Sequence, residues 1–419
     1  VISMARDVVY GTMDESRDMD ALVRLIGFAF GSEPKAAREW LLKAGVGNLR
    51  VASRATEARP IAESVAEPVT SPQACLLRIP MGQYFGSKSV PMSGIAGVAV
   101  GPESRGSGLA TAMMTACIRE IAAEGIALST LYASTQHLYR KVGYEVAGMA
   151  YNTTVPVSEI GRNLIAGGIS DGLRVQQLDE RHEPAIRETY RQWATGTPGM
   201  LDRGTYIWNR VKVWREVPHT PFGILNAAGE ILAYAYLSQD RNTASGKHHV
   251  KLSDMAWKDA AAGRALLEFL GGFTTMAEEL KFSGSPTHPA IGLIGNTLYS
   301  VAMKDPWMLR ICDVQAALRE RGYPRGLRAG LAIDLYDAIV ADNNACWGLE
   351  VAGGDGLVQR GAPTGNAIRC GVHALAQLYT GYLSAGDLAR RGMLSGSAGA
   401  IETADMIFAG GAPYMTDFF

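Results

Sequence analysis

No two of the five cysteines (Cys75, Cys117, Cys312, Cys346 and Cys370) form a C-x-x-C pair. An odd, scattered set argues for reduced thiols and against a disulfide framework or a zinc site, so no metal is expected. No apolar run reaches the ~18 residues of a membrane helix. Basic charge is not in excess either: the formal net charge is -1, which argues against nucleic acid or an anionic membrane as a partner. The opening stretch is acidic, with Asp7, Asp14, Glu15, Asp18 and Asp20, unlike a secretory signal. A cytoplasmic location is expected.

What is present describes an ordinary globular chain, 47% hydrophobic and 19% charged over 419 residues. That length exceeds what one hydrophobic core serves, and two or three domains are expected. Three blocks emerge. In the first, to about 150, "DMDALVRLIGFAF" sets Met19, Leu22, Val23 and Ile26 on one helical face, with Asp18 or Asp20 near the helix start. The proline-rich stretch over 54–72 reads as a loop or irregular insertion. "GIAGVAV", "LATAMMTACIREIAAEG" and "ALSTLYAS" then read as strand, helix and strand, a βαβ unit with a parallel pair. The second block, 151–295, repeats that flavour after a glycine-rich turn near "IAGGISDG", and "NAAGE" is a hairpin turn between two strands. The third, 296–419, has strands first and helices after, an α+β pattern.

The chemistry concentrates in "GIAGVAVGPESRGSGLATAMM". A strand ending at Val100 enters a glycine-rich loop, and a helix begins near Gly108 with Leu109, Met113, Cys117 and Ile121 along its buried face. Unpartnered N–H groups at a helix N-terminus attract anions. Gly106 and Gly108 let the main chain approach a phosphate without a Cβ in the way, and Arg105 adds a charged donor. No G-K-[S/T] follows, which leaves nucleotide triphosphate hydrolysis without support.

"R-G-S-G-L-A" fits [Q/R]-x-x-G-x-[G/A] and resembles the pyrophosphate loop of the GNAT acetyltransferases. With "LYASTQHLYRKVGYE", "DVQAALRERGYP" and "ALAQLYTGYLSAGDLARRG", the whole chain resembles the enhanced intracellular survival (Eis) family of aminoglycoside and lysine N-acetyltransferases. The resemblance implies an α/β and α+β architecture: two tandem GNAT-fold domains followed by a sterol-carrier-protein-like domain. It implies acetyl-CoA as cosubstrate, a small-molecule amine as acceptor, and a homo-oligomer, commonly a hexamer. No second glycine loop of this pattern occurs between 151 and 295, so one cofactor site is expected.

Site residues carry over by position. Arg105, Gly106, Ser107, Gly108, Leu109, Ala110 and Thr111 would hold the pyrophosphate. Val98, Ala99 and Val100 would pair with the pantetheine amides, and Ser134 and Thr135 would line the same cofactor. Tyr139 matches the family's general acid; read from the sequence alone, its ring fits packing under the cofactor equally well. His137 reads as surface. Phe30 and Trp40 are the acceptor-pocket candidates, although Trp40 also suits a core position on an amphipathic helix. Family members often carry an acid near the place of Phe30, a departure that bears on which amine is taken. The last residues here, "PYMTDFF", match a tail whose terminal carboxylate acts as general base in this family, which points to Phe419 with Phe418 beside it. Two other readings compete: a GNAT enzyme for a single protein or metabolite amine, and a non-catalytic lipid- or small-molecule-binding protein.

Overall fold

The strand, helix and strand expected around the glycine loop are present and parallel. The structure is a computed structural model that describes residues 8–54, 71–163, 172–295, 297–361 and 365–419. Most of the irregular stretch at 54–72, and of the glycine-rich turn near 165–172, lies outside those residues. The first part of the chain runs β1 (Val8–Thr12), α1 (Glu15–Phe30), α2 (Pro34–Ala44), β2 (Leu49–Arg54), β3 (Ala74–Phe85), β4 (Lys88–Val100), α3 (Leu109–Ala123), β5 (Leu128–Tyr132), α4 (Gln136–Arg140) and β6 (Glu145–Pro156). The second runs α5 (Val157–Asn163), β7 (Arg174–Gln177), α6 (Glu183–Thr195), β8 (Leu201–Asp202), α7 (Thr205–Lys212), β9 (Val213–Trp214), β10 (Val217–Pro218), β11 (Thr220–Leu225), β12 (Ile231–Arg241), β13 (His248–Trp257), α8 (Ala260–Gly271), β14 (Ala277–Ser283), α9 (Pro289–Leu293) and β15 (Ser300–Ile311). The third holds α10 (Val314–Glu320), β16 (Ala329–Tyr336), β17 (Ala345–Ala352), β18 (Asp355–Arg360), β19 (Ala367–Gly371), α11 (Val372–Thr380), α12 (Ala385–Arg390), β20 (Leu394–Gly396) and α13 (Ala398–Ile407). Among the described residues, no helix is long and apolar enough to cross a membrane.

Period-3.6 apolar spacing places the helices as expected. Met19, Leu22, Val23 and Ile26 of α1 are buried, as are Leu109, Met113, Cys117 and Ile121 of α3. The α1 start moves upstream: Asp14 is the N-cap, accepting from the Ser16 N–H, and Asp18 turns inward, gripped by the Arg17 guanidinium at 2.6 Å. The "NAAGE" hairpin is present between β11 and β12, with Gly229 at φ +82°.

One large sheet runs β1-β2-β3-β4-β5-β15-β6-β14-β13-β12-β11-β7, with β8 on the side of β3. Its pairs repeat in two halves: β4 with β5 around α3 and β13 with β14 around α8 are both parallel. The halves also trade strands. β6 pairs with β14 of the second half, and β15, which follows the second half in sequence, inserts between β5 and β6. The boundaries expected at 150 and 295 therefore need correction. The first falls inside β6, and the second lies ahead of a strand that belongs to the large sheet, so the sheet ends after Ile311. A second sheet, β18-β17-β16-β19-β20, makes the last part.

Two buried ion clusters tie these parts together. Arg310, at the end of β15, reaches Asp337 at 2.7 Å with neither side chain exposed. The same carboxylate accepts from Asn343 at 2.8 Å, and Arg310 also donates to the Val142 carbonyl at 3.1 Å. Burial alone would raise the Asp337 carboxyl, but the Arg310 guanidinium, with Asn343 and the Ile339 N–H, holds it below its ordinary value. The second cluster centres on Arg203, whose guanidinium spans Asp254 of β13 at 2.6 Å and Asp417 of the C-terminal tail at 3.0 Å.

Removing one partner of a buried pair leaves a charge without compensation. Arg310→Met is therefore expected to lower unfolding stability by about 3–5 kcal/mol in denaturant titration. Because the folded Asp337 value is depressed, its contribution is present above the unfolded carboxyl value and is lost as pH falls through the lower, folded one. The stability gap between wild type and Asp337→Asn should close in acid, and a gap that widened there would reverse the assignment.

Candidate active site

The glycine loop has the geometry of an open anion cradle. Gly106 and Gly108 sit at φ +76° and +84°, a region that strains other residues, and a Cβ at either would meet nothing within 4 Å. Gly108 caps α3 without a side-chain hydrogen bond of its own; the Leu109 N–H donates to the Ser107 hydroxyl at 3.4 Å, and the following N–H groups of the first turn lack an intrahelical acceptor. Arg105, Gly106, Ser107 and Gly108 are exposed, Ala110 and Thr111 are half-buried, and Leu109 turns into the core. Ser107 is braced from two sides: its hydroxyl donates to the Ser104 carbonyl at 2.6 Å, and the Arg54 guanidinium reaches its carbonyl.

Upstream of the loop, β4 carries one extra residue against β3 between the pairs Leu77–Ala96 and Cys75–Ala99. This is a β-bulge, and Gly97 within it adopts φ +56°. On the opposite edge, pairing of β4 with β5 stops at Ile95–Leu131. Val98, Ala99 and Val100 thus continue along β3 while β5 diverges, which leaves a strand edge that an extended ligand can pair with. Ser134 and Thr135 follow β5 and are exposed, with Thr135 capping the short helix α4.

Tyr139 lies on α4 with its ring buried, 5% exposed, edge-on to Tyr144. Burial pushes its phenol up to about 12. His137 is exposed, as expected for a surface residue.

Trp40 of α2 leans on the bulge: a Cβ at Gly97 would come within 2.5 Å of the indole Cη2. Its N–H donates to the Tyr206 hydroxyl at 3.1 Å. Phe30 is different. It ends α1 with 56% of its surface exposed, and no described contact joins it to Trp40.

The tail crosses from the second half of the sheet to the first. Tyr414 donates its N–H to the Pro198 carbonyl at 3.2 Å, and Met415 bonds to Met149 of β6 at 3.3 Å. The Tyr132 hydroxyl, at the end of β5, donates to the Asp417 carbonyl at 2.8 Å, and Arg210 donates to that of Phe418 at 3.0 Å. The Phe418 ring stacks on Tyr132 with centroids 4.5 Å apart. Phe419 is 7% exposed and lies over Gly94, where a Cβ would stand 2.9 Å from its ring. The tail thus ends where β4 and β5 begin to part. Tyr132, Arg203, Tyr206 and Arg210 were not foreseen; of the tail's ties, only Asp417 in "TDFF" offered a signal, as an acid inside an apolar run.

Two models of an acetyltransferase (GNAT) domain match residues 73–147 and 199–311, and a sterol carrier protein domain model matches 314–416. The fold is thus two GNAT domains followed by a sterol-carrier-type domain, the class is that of acetyl-transferring enzymes, and the GNAT fold implies acetyl-CoA as donor. N-acetyltransferase Eis of Mycobacterium tuberculosis is 27% identical over 345 residues, 80% of this chain and 82% of that one. The chain is a homologue of the Eis N-acetyltransferases. A GCN5-related N-acetyltransferase from Anabaena variabilis superimposes with TM-score 0.87 at 28% identity, over 98% of this chain and 100% of that one. Eis1 from Mycobacterium abscessus shares the fold, with TM-score 0.76 and 21% identity over 99% and 100% of the two chains.

Gly97→Ala forces a side chain into a left-handed bulge and against a rigid ring. It is expected to cost about 1–3 kcal/mol of stability. Urea unfolding reads the loss, and quenching of tryptophan emission by iodide should rise as the Trp40 ring is displaced.

Proposed function

We propose that the chain acetylates primary amines from acetyl-CoA at one site in its first GNAT domain, with Tyr139 as general acid and a carboxylate at Phe419 as general base. The observation that carries this reading is the delivery of the tail to the parting of β4 and β5, on the same strands that lead to the glycine loop. Acetyl-CoA fits the residues present: the loop has room where a Cβ would be, and the β4 edge from Val98 to Val100 is parted from β5. Arg105 and the backbone from Gly106 to Thr111 would hold its pyrophosphate, the edge would pair with its amides, and Ser134 and Thr135 would flank it. The chemistry it supplies when bound is an activated thioester.

The chain's own groups then move protons. As the amine nitrogen bonds to the acetyl carbon and the carbon–sulfur bond breaks, one proton leaves nitrogen for the carboxylate and one reaches sulfur from Tyr139. A phenol at about 12 stays protonated at neutral pH and is available as donor. Where Phe419 bears the terminal carboxylate, the packing of Phe418 and Phe419 fixes that group's position. The second GNAT domain has no such cradle: Asp259 caps α8 and accepts from the Ala262 N–H at 2.9 Å, placing an acid where a phosphate would bind.

By the resemblance, aminoglycoside-like polycations are the acceptors, with lysine side chains a further class, and the enzyme works as a homo-oligomer of six copies. Free-thiol release from acetyl-CoA across an amine panel tests the activity. Tyr139→Phe is expected to lower kcat by roughly 10²–10⁴-fold while leaving coenzyme A affinity unchanged; full retained turnover would remove Tyr139 as the acid. One glycine added after Phe419 should abolish turnover but not coenzyme A binding. If coenzyme A fails to raise the melting temperature, the binding-protein reading is favoured instead.

A further inference from the structure

The helix that carries Tyr139 is too short to fix its own direction. α4 has five residues, Gln136–Arg140, and a helix of that length owes its geometry to packing, because few intrahelical bonds offset the cost of nucleation. The chain leaves α4 through a tight turn in which Gly143 stands at φ +88° and the Tyr144 N–H returns to the Tyr139 carbonyl at 3.1 Å. A shift of this turn therefore shifts Tyr139.

The third domain grips the turn from α11. His373 and Gln377 are four residues apart on that helix, so they share one face. The His373 Nε2 pairs with the Arg140 carbonyl at 2.8 Å, and the Gln377 amide donates to the Val146 carbonyl at 3.0 Å. A carbonyl only accepts, so Nε2 of His373 carries the proton. The two anchors fall on either side of the turn. Between them, Arg310 donates to the Val142 carbonyl and is itself fixed by Asp337 of the third domain. Ile339, Val340 and Tyr382 of that domain also join the apolar cluster that includes Tyr139. Gln377 and Arg310 are buried, whereas His373 is half-buried and bonds the residue next to Tyr139.

We infer that His373 is a positioning residue for acetyl transfer: by holding the Arg140 carbonyl it sets the direction in which α4 presents the Tyr139 phenol to the departing sulfur. The sterol-carrier-type domain then serves both proton transfers, delivering the tail that bears the base and steadying the helix that bears the acid. This rests on the acetyl-transfer reading above.

The test uses the full chain with kanamycin and trilysine as acceptors, following thiol release from acetyl-CoA well below the melting temperature of each variant. His373→Leu keeps an apolar side chain there but has no donor. It is expected to lower kcat by roughly three- to tenfold, the range for one lost hydrogen bond, with the amine KM and coenzyme A affinity unchanged. His373→Gln, whose amide supplies a donor at the same reach, should keep kcat within about twofold of wild type. In a Tyr139→Phe background neither substitution should change kcat further, because groups that act as a unit are not additive. A merely structural role predicts an equal fall in both backgrounds. The inference is overturned by that equal fall, by a His373→Leu enzyme with wild-type kcat, by a loss confined to KM, or by a His373→Gln enzyme as slow as His373→Leu. If Tyr139→Phe lowers kcat while both His373 variants behave as wild type, this inference alone is removed. Full turnover by Tyr139→Phe removes the acid assignment, and absence of thiol release with both amines removes the acetyl-transfer reading; either takes this inference with it.

Discussion

Everything proposed for this molecule hangs on one guanidinium. Arg203 is fully buried, spans Asp254 and Asp417, and lies over the Tyr190 ring at 3.7 Å. Asp254 takes a further hydrogen bond from the Tyr234 hydroxyl. A buried ionic cluster of this kind adds little net stability, because desolvation offsets attraction. Its role is positional: Asp417 has one satisfactory place in the fold, and that place sets where the two residues after it lie. The tail is thus located by a residue of the second GNAT domain while the groups it delivers face the first.

The two GNAT domains show how small a change separates an anion cradle from a closed helix end. Both have a parallel strand pair around a helix, and both have an irregularity in the first strand of that pair, at Gly97 in one and at Ser253, just ahead of Asp254, in the other. One helix is capped by Gly108, which offers no acceptor of its own, and the other by Asp259, whose carboxylate satisfies the first turn and repels phosphate. The second domain keeps the parted strands without the cradle, and its opening is lined by lysines and closed on one side by the tail.

What the sequence made legible was local. The four-residue spacing of Leu109, Met113, Cys117 and Ile121, the glycines ahead of it and the hairpin at Gly229 each report on their own neighbourhood, and each is found as read. The strand exchange was hidden because β6 and β15 carry the same alternation whichever strand they join; partner choice is a property of the assembled sheet. Tyr206 and Arg210 were hidden for a related reason, since their contacts with Trp40 and Phe418 bridge more than 150 residues of chain. Phe30, named for the acceptor pocket by resemblance, stands 56% exposed at the end of α1.

The insertion of β15 between β5 and β6 also dictates an order of events during synthesis. The β5 edge is complete once Tyr132 has been made, but its partner spans Ser300–Ile311. For the time it takes to add more than 160 residues, the newborn first domain carries an open strand edge beside a half-formed core. Such edges invite pairing with other chains, and long-range pairing of this kind is slow to form. The architecture that lets a distant tail reach the first domain therefore makes that domain dependent, while the ribosome is still at work, on sequence that does not yet exist.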